Sequence, residues 1–569
     1  MSAAASPATS EIGGPPMSTP SREPTGGDVL VRVMKRHGID TAFGVISVHN
    51  LPLVEAVARD LRFIEMRHEA AVVNAADGYA RATGGIGVAI TSTGTGAGNA
   101  AGSMIEALTA GSRVLHLTGQ VDSQYLATPR GVIHEFPGQR AMLDAVSAFA
   151  ATVPAADEAE AVLEEALAAV RGTPGGPASV EWPSDLQYLA RPDRQRPAAL
   201  RARPLPRTDD AALDAAANRL AEAERPVFWL GGGAAGASDE LTRLAHRLGA
   251  GVLTSNSGRG VIPEDDELVI GNFASSPGVA PLLADADLML SVGTHFRSNE
   301  TKSYHLELPK RHVQIDVDPV AIGRVYAAEV GVAGDAAPVL RALLARLPEG
   351  APEPAWTRRV GAVRQQVRAD LYDYIGGYAE ICRGLRAVLP RESVVARDVT
   401  IPSSQWGNRL LEFYERGTNL FPLGGGIGQG LAMGIGAALG RPDVPTAVIA
   451  GDGGLSVHLG ELASLAGTGA WCVVLVFNDG GYGVLRNMQR VNGFDVTGVD
   501  LYTPDFRLLA GAMGMPYWLV QGPGGFEATL REALAARRPV LIEVDVAALD
   551  PRPGAFTPPV HVPTASERA

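Results

Sequence analysis

Cysteine is nearly missing from this chain: Cys382 and Cys472 are the only two thiols in 569 residues. Both stand in apolar contexts and form neither a disulfide framework nor a metal-ligand spacing, which excludes a stapled secreted scaffold and a zinc ribbon. Two unpaired cysteines fit a reducing cytosol, so a cytoplasmic protein is expected. Long apolar runs are missing too, since none reaches the length that spans a bilayer. The segment 1–25, rich in Ala, Ser, Pro and Gly, lacks the apolar core of a secretory signal and reads as a disordered extension, with Met17 as an alternative start. Basic residues are outnumbered, 49 Lys and Arg against 62 Asp and Glu, and the net charge of −13 argues against general nucleic-acid binding and attachment to an anionic membrane.

What is present is a large apolar share, 46% of residues, in a chain too long for one hydrophobic core. Alternating helical and apolar-strand patterns predict three doubly wound α/β domains with parallel sheets, at 26–190, 208–347 and 359–550, joined by linkers at 191–207 and 348–358. In the first, a strand pattern over 87–92 runs into Thr93-Gly94-Thr95-Gly96-Ala97-Gly98 and then a helix from Asn99. In the second, Val227-Phe228-Trp229-Leu230 precedes Gly231-Gly232-Gly233. The tail 551–569 is proline-rich and cannot continue a helix or a central strand.

The third domain carries the most informative stretch. An apolar strand pattern over 446–450 ends in Gly451-Asp452-Gly453, and a second over 472–477 ends in Asn478-Asp479-Gly480. In a parallel sheet with helical crossovers the two strand ends lie side by side, so Asp452 and Asn478 converge on one hard cation. Magnesium suits such a site, because it takes oxygen ligands, needs few from protein and leaves the rest of its octahedron to phosphate and water. The glycines let backbone N–H groups approach a diphosphate.

This pattern resembles the thiamin diphosphate (ThDP) binding motif. Together with Arg67-His68-Glu69-Ala70-Ala71 far upstream, it makes residues 28–550 similar to the superfamily of acetolactate synthase, pyruvate decarboxylase and benzoylformate decarboxylase. The resemblance implies ThDP and Mg2+ as cofactors, with Asp452 and Asn478 as side-chain metal ligands, Gly480 as a carbonyl ligand, and Gly453 and Gly454 as amide donors to the diphosphate. It implies further diphosphate contacts from Thr400, Ser403 and Ser404. Glu69 would be the carboxyl group that contacts the aminopyrimidine of a cofactor held by a partner subunit and assists loss of the thiazolium proton. In Phe421-Pro-Leu-Gly-Gly-Gly-Ile-Gly-Gln-Gly430, Ile427 would wedge under the cofactor and Gly425 would offer its carbonyl to the cofactor amine. Because Glu69 and the diphosphate motif serve different subunits in the family, a homodimer or homotetramer is expected.

The reaction is narrowed by the loops of the first domain. His49 stands where benzaldehyde lyases carry an acid–base histidine, and His134 where acetolactate synthases and benzaldehyde lyases carry glutamine. Two histidines suit proton transfer near neutral pH. Ser92 replaces the histidine of benzoylformate decarboxylases, and the tandem histidine pair of pyruvate decarboxylase is missing. Val484-Leu485-Arg486-Asn487-Met488-Gln489 lacks the Gln-Trp pair of acetolactate synthases. The expectation is a ThDP-dependent lyase or carboligase that cleaves a 2-oxo acid or acyloin and protonates the acyl-anion equivalent or transfers it to a carbonyl acceptor. Acetolactate synthesis from pyruvate is the alternative, and a non-catalytic ThDP-fold regulatory subunit is the alternative from another class. FAD is left open, because Gly231-Gly232-Gly233 serves equally well as a bare strand-to-helix turn.

Overall fold

A computed structural model describes residues 23–190, 206–348 and 352–556. The predicted extension up to residue 22, most of the first linker and the end of the tail lie outside the described residues. Three six-stranded sheets follow one another along the chain, and every pairing in them is parallel.

The first sheet contains β1 (Thr41–Gly44), β2 (Arg62–Glu65), β3 (Gly87–Thr91), β4 (Val114–Gln120), β5 (Phe149–Thr152) and β6 (Ala178–Pro183), in the order β2-β1-β3-β4-β6-β5. The second contains β7 (Pro226–Leu230), β8 (Gly251–Thr254), β9 (Val269–Gly271), β10 (Leu288–Val292), β11 (His312–Asp316) and β12 (Val330–Ala333), in the order β12-β11-β10-β7-β8-β9. The third contains β13 (Val394–Arg397), β14 (Asn419–Leu420), β15 (Thr446–Gly451), β16 (Cys472–Asn478), β17 (Tyr517–Val520) and β18 (Val540–Asp545), in the order β14-β13-β15-β16-β18-β17. Helices cover both faces, so central strands read as unbroken apolar runs; Val473, Val474, Leu475 and Val476 are all fully buried.

The first and third sheets reverse their winding direction where β6 and β18 insert before β5 and β17, and all three reverse it between β1 and β3, between β7 and β10, and between β13 and β15. Loops leaving the carboxyl ends of those neighbours part in opposite directions and open a crevice, the place where open α/β sheets bind ligands. His49 and Ser92 follow the first such pair, Gly231 and Gly293 the second, and Asp398 and Asp452 the third.

The first and third units are joined by close helix packing. The helix Glu69–Thr83 crosses Gly430–Gly440, and a Cβ on Gly436 would stand 1.9 Å from the Ala75 carbonyl oxygen. At the second crevice, a Cβ on Gly231 would lie 2.1 Å from the Gly293 carbonyl oxygen. That loop-to-loop contact accounts for the glycine run without a nucleotide.

Two sequence expectations need correction. The first-domain helix spans Thr95–Ala110, starting before Asn99. Part of the predicted linker 348–358 is helical, because Glu353 caps a helix that runs Pro354–Tyr374 and has proline in its first turn. This helix packs on the second sheet, where Trp356 Nε1 donates to the Pro226 carbonyl at 3.1 Å and Val360 and Val367 are buried. Among the described residues no helix is long and apolar enough to cross a membrane.

Candidate active site

At the third crevice the sheet register sets the geometry. Gly451 pairs with Phe477, so the next residues, Asp452 and Asn478, leave adjacent strands side by side as expected. Asp452 is 1% exposed, and its carboxylate accepts from Thr503 Oγ1 at 3.1 Å and from the Asp479 amide at 3.3 Å. No basic side chain pairs with it among the described residues, and burial pushes its pKa up. Asp479 beside it is pushed up to about 6, by burial and then by Asp452. A buried carboxylate without a cationic partner, next to a side-chain amide oxygen, is a donor set that fits a hard divalent cation.

Gly480 does not fit its expected part. Its carbonyl accepts from the Arg486 guanidinium at 3.0 Å and from the Leu501 amide at 3.2 Å. Both lone pairs are taken, so in this conformation the carbonyl is not free to ligate a metal. The family resemblance implies the ligand role, and nothing in the local sequence signals that Arg486, from the first turn of the helix Gly483–Val491, reaches back to this carbonyl.

Gly453 and Gly454 form the first turn of the short helix Asp452–Val457, whose leading N–H groups carry no side-chain cap. The turn is tight: a Cβ on Gly453 would stand 2.8 Å from the Tyr482 ring. Thr400 lies against this turn, with Oγ1 2.9 Å from where a Cβ on Gly451 would be. Ser403 faces elsewhere, being buried with its hydroxyl 3.4 Å from the Arg397 guanidinium. The Ser404 carbonyl accepts from Arg409 at 3.2 Å, within the five-residue π-helical turn Ser403–Gly407. Of the hydroxyl residues expected at the diphosphate, Thr400 is placed at the Gly-Asp-Gly turn and Ser403 is turned toward Arg397.

The loop bearing Ile427 is clamped at both ends by carboxylates that motif reading missed. Asp398 is fully enclosed and accepts from the Gly428 and Gly430 amides, both at 3.0 Å, and from Val399 at 2.7 Å. Burial pushes its carboxyl up to about 6 against the opposing pull of those three N–H groups. At the other end Glu106, from the first unit, accepts from the Leu423 amide at 2.7 Å and the Gly424 amide at 2.6 Å. Arg81 holds Glu106 at 2.8 Å and donates to the Phe421 carbonyl at 2.9 Å. Between the clamps, Gly425 and Gly428 adopt φ of +80° and +82°, and Ile427 is 39% exposed. Losing a charge-assisted pair of this kind costs about 2–3 kcal/mol. Glu106→Gln is therefore expected to lower stability by about that amount and to speed amide hydrogen exchange in 421–430 selectively, read by mass spectrometry of that peptide. Unchanged exchange there would show that Glu106 does not hold the loop.

The other cluster stands on the first sheet, where the strand ends bring together segments distant in sequence. Glu69 opens its helix, half-buried, with Oε2 accepting from Asn99 Nδ2 at 3.0 Å. A Cβ on Gly96 would touch both Glu69 Oε1, at 2.8 Å, and Ser92, at 2.7 Å, so glycine is required where the helix Thr95–Ala110 passes. The backbone before Glu69 is tied to the third unit, because Glu461 accepts from the Arg67 amide at 3.0 Å. His49 and His134 meet edge to face with ring centroids 5.3 Å apart. His49 is 7% exposed and held by Ser184 Oγ at 3.0 Å from its Nδ1, while Asn50 pins its loop to the Val45 and Thr91 carbonyls. His134 sits at φ +64°, its carbonyl packed so close to Gly94 that a Cβ there would stand 2.1 Å away. His49 Nε2 and His134 Nδ1 are both buried without a hydrogen-bond partner. Such orphaned polar atoms are uncommon in native structures and point to a group that binds there. Burial, reinforced by His134, lowers the His49 pKa, so its imidazole is neutral at neutral pH. No hydrogen bond joins Glu69, His49 or His134 to Asp452, Asn478 or Ile427 among the described residues, so the candidate residues fall into two clusters.

The fold and its strand-edge clusters define a three-domain, cofactor-binding α/β protein. Family models sharpen that class: residues 24–147 match the thiamine pyrophosphate enzyme N-terminal TPP binding domain, 213–343 its central domain and 402–544 its C-terminal TPP binding domain. The chain belongs to the thiamine pyrophosphate enzyme family. It is 33% identical over 536 residues to a probable 2-ketoarginine decarboxylase of Pseudomonas aeruginosa, covering 92% of this chain and 94% of that protein. It is 29% identical over 558 residues to a benzoylformate decarboxylase of the same organism, covering 91% and 98%. A probable acetolactate synthase large subunit of Methanocaldococcus jannaschii is 27% identical over 549 residues, with 91% of each chain covered.

Proposed function

We propose that this protein is a ThDP- and magnesium-dependent lyase or carboligase that breaks the C–C bond beside the carbonyl of a 2-oxo acid or acyloin and then protonates the acyl-anion equivalent or passes it to a carbonyl acceptor. The observation that carries this reading is the meeting of His49 and His134, two buried imidazoles with unpartnered ring nitrogens on the sheet edge that also carries Glu69. Bound ThDP would supply the electron sink for the cleavage. Asp452 and Asn478 would hold the metal that carries its diphosphate, Gly453, Gly454 and Thr400 would lie along the diphosphate, and Ile427 and the Gly425 carbonyl would set the cofactor's shape. Glu69 would hold the proton shared with the cofactor's pyrimidine. His49, neutral at neutral pH, accepts a proton from a substrate hydroxyl or returns one to carbon. His134, its ring centroid 5.3 Å away, disfavours the charged form of His49.

Membership of the family and the separation of the two clusters support an assembly of at least a homodimer, with Glu69 of one subunit facing the metal cluster of another. Two buried thiols, both pushed up to about 12 by burial, support a reducing compartment such as the cytoplasm. Relatives named as acetolactate synthases favour a second reading, acetolactate synthesis from pyruvate.

NMR of 13C-labelled pyruvate, benzoylformate and 2-ketoarginine, each incubated with protein, ThDP and Mg2+, separates the readings. Acetolactate would establish the second; CO2 with an aldehyde or acyloin product would establish the first; ThDP bound without turnover of pyruvate would defeat the second, and without turnover of any of the three would defeat the 2-oxo acid branch of the first. Substituting Phe for His49 is expected to lower kcat by about 10²–10⁴-fold, the usual worth of positioned acid–base catalysis. Because the His49 pKa is depressed, the wild-type rate should hold down to pH values below the ordinary imidazole range and fall only as His49 protonates. A His49→Phe enzyme with the same acidic limb would exclude His49 from the proton transfer.

A further inference from the structure

We infer that Glu543 is the positioning residue that aims the Asn478 side-chain oxygen at the cation, with Tyr517 fixing Glu543 in turn. This rests on the reading of Asp452 and Asn478 as a metal site. Three neighbouring strands contribute one residue each, with β16 and β17 flanking β18. In the β16–β18 register Val476 faces Glu543 and Asn478 faces Asp545, so the Glu543 side chain rises beside Asn478 from one pleat below. Glu543 Oε1 accepts from Asn478 Nδ2 at 2.7 Å, and Oε2 accepts from the Tyr517 hydroxyl at 2.7 Å. Both carboxylate oxygens are engaged, and the residue acts on the site only through Asn478.

The chemistry makes the orientation one-way. A side-chain amide has two ends of nearly equal size, one an acceptor and the other a double donor. A cation needs the oxygen end, and an unrestrained amide turns freely between the two. A carboxylate accepts and cannot donate, so it selects the NH2 end and turns Oδ1 away from itself. Among the described residues Asn478 Oδ1 then meets only the Gly480 amide, at a long 3.3 Å, and stays available to a metal. Outer partners of this kind characteristically change metal affinity by about 10–100-fold when removed.

Binding of Mn2+ to the full-length protein in the presence of ThDP, followed by the electron paramagnetic resonance signal of free Mn2+, tests the assignment without recourse to turnover. Glu543→Leu, which keeps bulk and loses the acceptor, should weaken Mn2+ binding about 10–100-fold. Glu543→Gln should restore most of the affinity, since its amide oxygen accepts from Asn478 and its NH2 donates to the Tyr517 oxygen. In an Asn478→Asp background, where both ends of the side chain are oxygens, Glu543→Leu should no longer weaken binding and should strengthen it by relieving carboxylate repulsion. Wild-type affinity in Glu543→Leu, an equal loss in Glu543→Gln, or the same loss in the Asn478→Asp background would each overturn the orienting role. Asp452→Ala is the control: undiminished Mn2+ binding there would overturn the metal site itself, whereas its loss beside a normal Glu543→Leu would overturn only the inference about Glu543.

Discussion

Glu69→Gln is expected to cut turnover by about 10²–10⁴-fold while leaving ThDP affinity within a few-fold of wild type. Glutamine preserves the size of the side chain and can still accept from Asn99 Nδ2, the 3.0 Å contact that holds Glu69 at the start of its helix. It also fits the space beside Gly96, where Glu69 Oε1 lies 2.8 Å from the position of an added Cβ. What glutamine cannot do is hold an exchangeable carboxyl proton. The substitution therefore separates a carboxyl needed for its proton from one that merely caps a helix, where negative charge is worth only about 0.3–1 kcal/mol. Steady-state kcat measured beside ThDP binding, by quenching of protein fluorescence, decides the matter. Unchanged turnover would leave Glu69 as a helix-dipole carboxylate and remove the cofactor-activating role.

The halves of the site were legible in sequence to different depths for physical reasons. Strands β15 and β16 announce themselves as apolar runs bounded by glycine, and a parallel pair places the following residues side by side, so Asp452 and Asn478 could be joined from spacing alone. His49 and His134 follow different strands, and their contact arises because β1 and β4 flank β3 in the sheet. Local pattern does not contain that adjacency; the resemblance placed each histidine at an active-site position, and the fold brings the two together. Glu106, Asp398 and Glu543 were missed because each reads as an ordinary acidic residue on a helix, after a strand or within one. Their partners are distant in sequence: Asp398 reaches Gly428 across the third unit, and Glu106 reaches Leu423 only once the first and third units have docked. The failures have the same origin. Ser403 and Gly480 stood at plausible offsets, and Arg397 and Arg486 claimed their polar groups in three dimensions. The expected linker 348–358 looked like punctuation because of its prolines, yet Pro354 occupies a first-turn position that tolerates proline, and burial of Trp356 stabilises the helix that follows.

The other large effect should come from Asp452→Asn, which is expected to abolish the thermal stabilisation that ThDP with Mg2+ confers, without lowering the melting temperature of the ligand-free protein. The wild-type carboxylate is almost completely buried and accepts from a hydroxyl and a backbone amide, with no basic side chain paired to it among the described residues. Burial raises its pKa, meaning that the ionised form is less comfortable in the fold than in water. An ionised group in that position is a cost to the ligand-free protein, offset only when a cation arrives. Asparagine removes the charge and keeps an oxygen acceptor, so the ligand-free fold should melt at the same temperature or higher. Binding suffers in the opposite direction, because a neutral amide gives a hard divalent ion one weak oxygen in place of a charged one. With ligands at a hundredfold excess over their dissociation constant, binding contributes about 2.7 kcal/mol to wild-type stability. That increment should vanish in the variant, and scanning calorimetry with and without ThDP and Mg2+ measures both halves of the expectation. If the variant kept the wild-type ligand shift, Asp452 would not be a metal ligand, and the cation would have to be sought elsewhere along the edge of the third sheet.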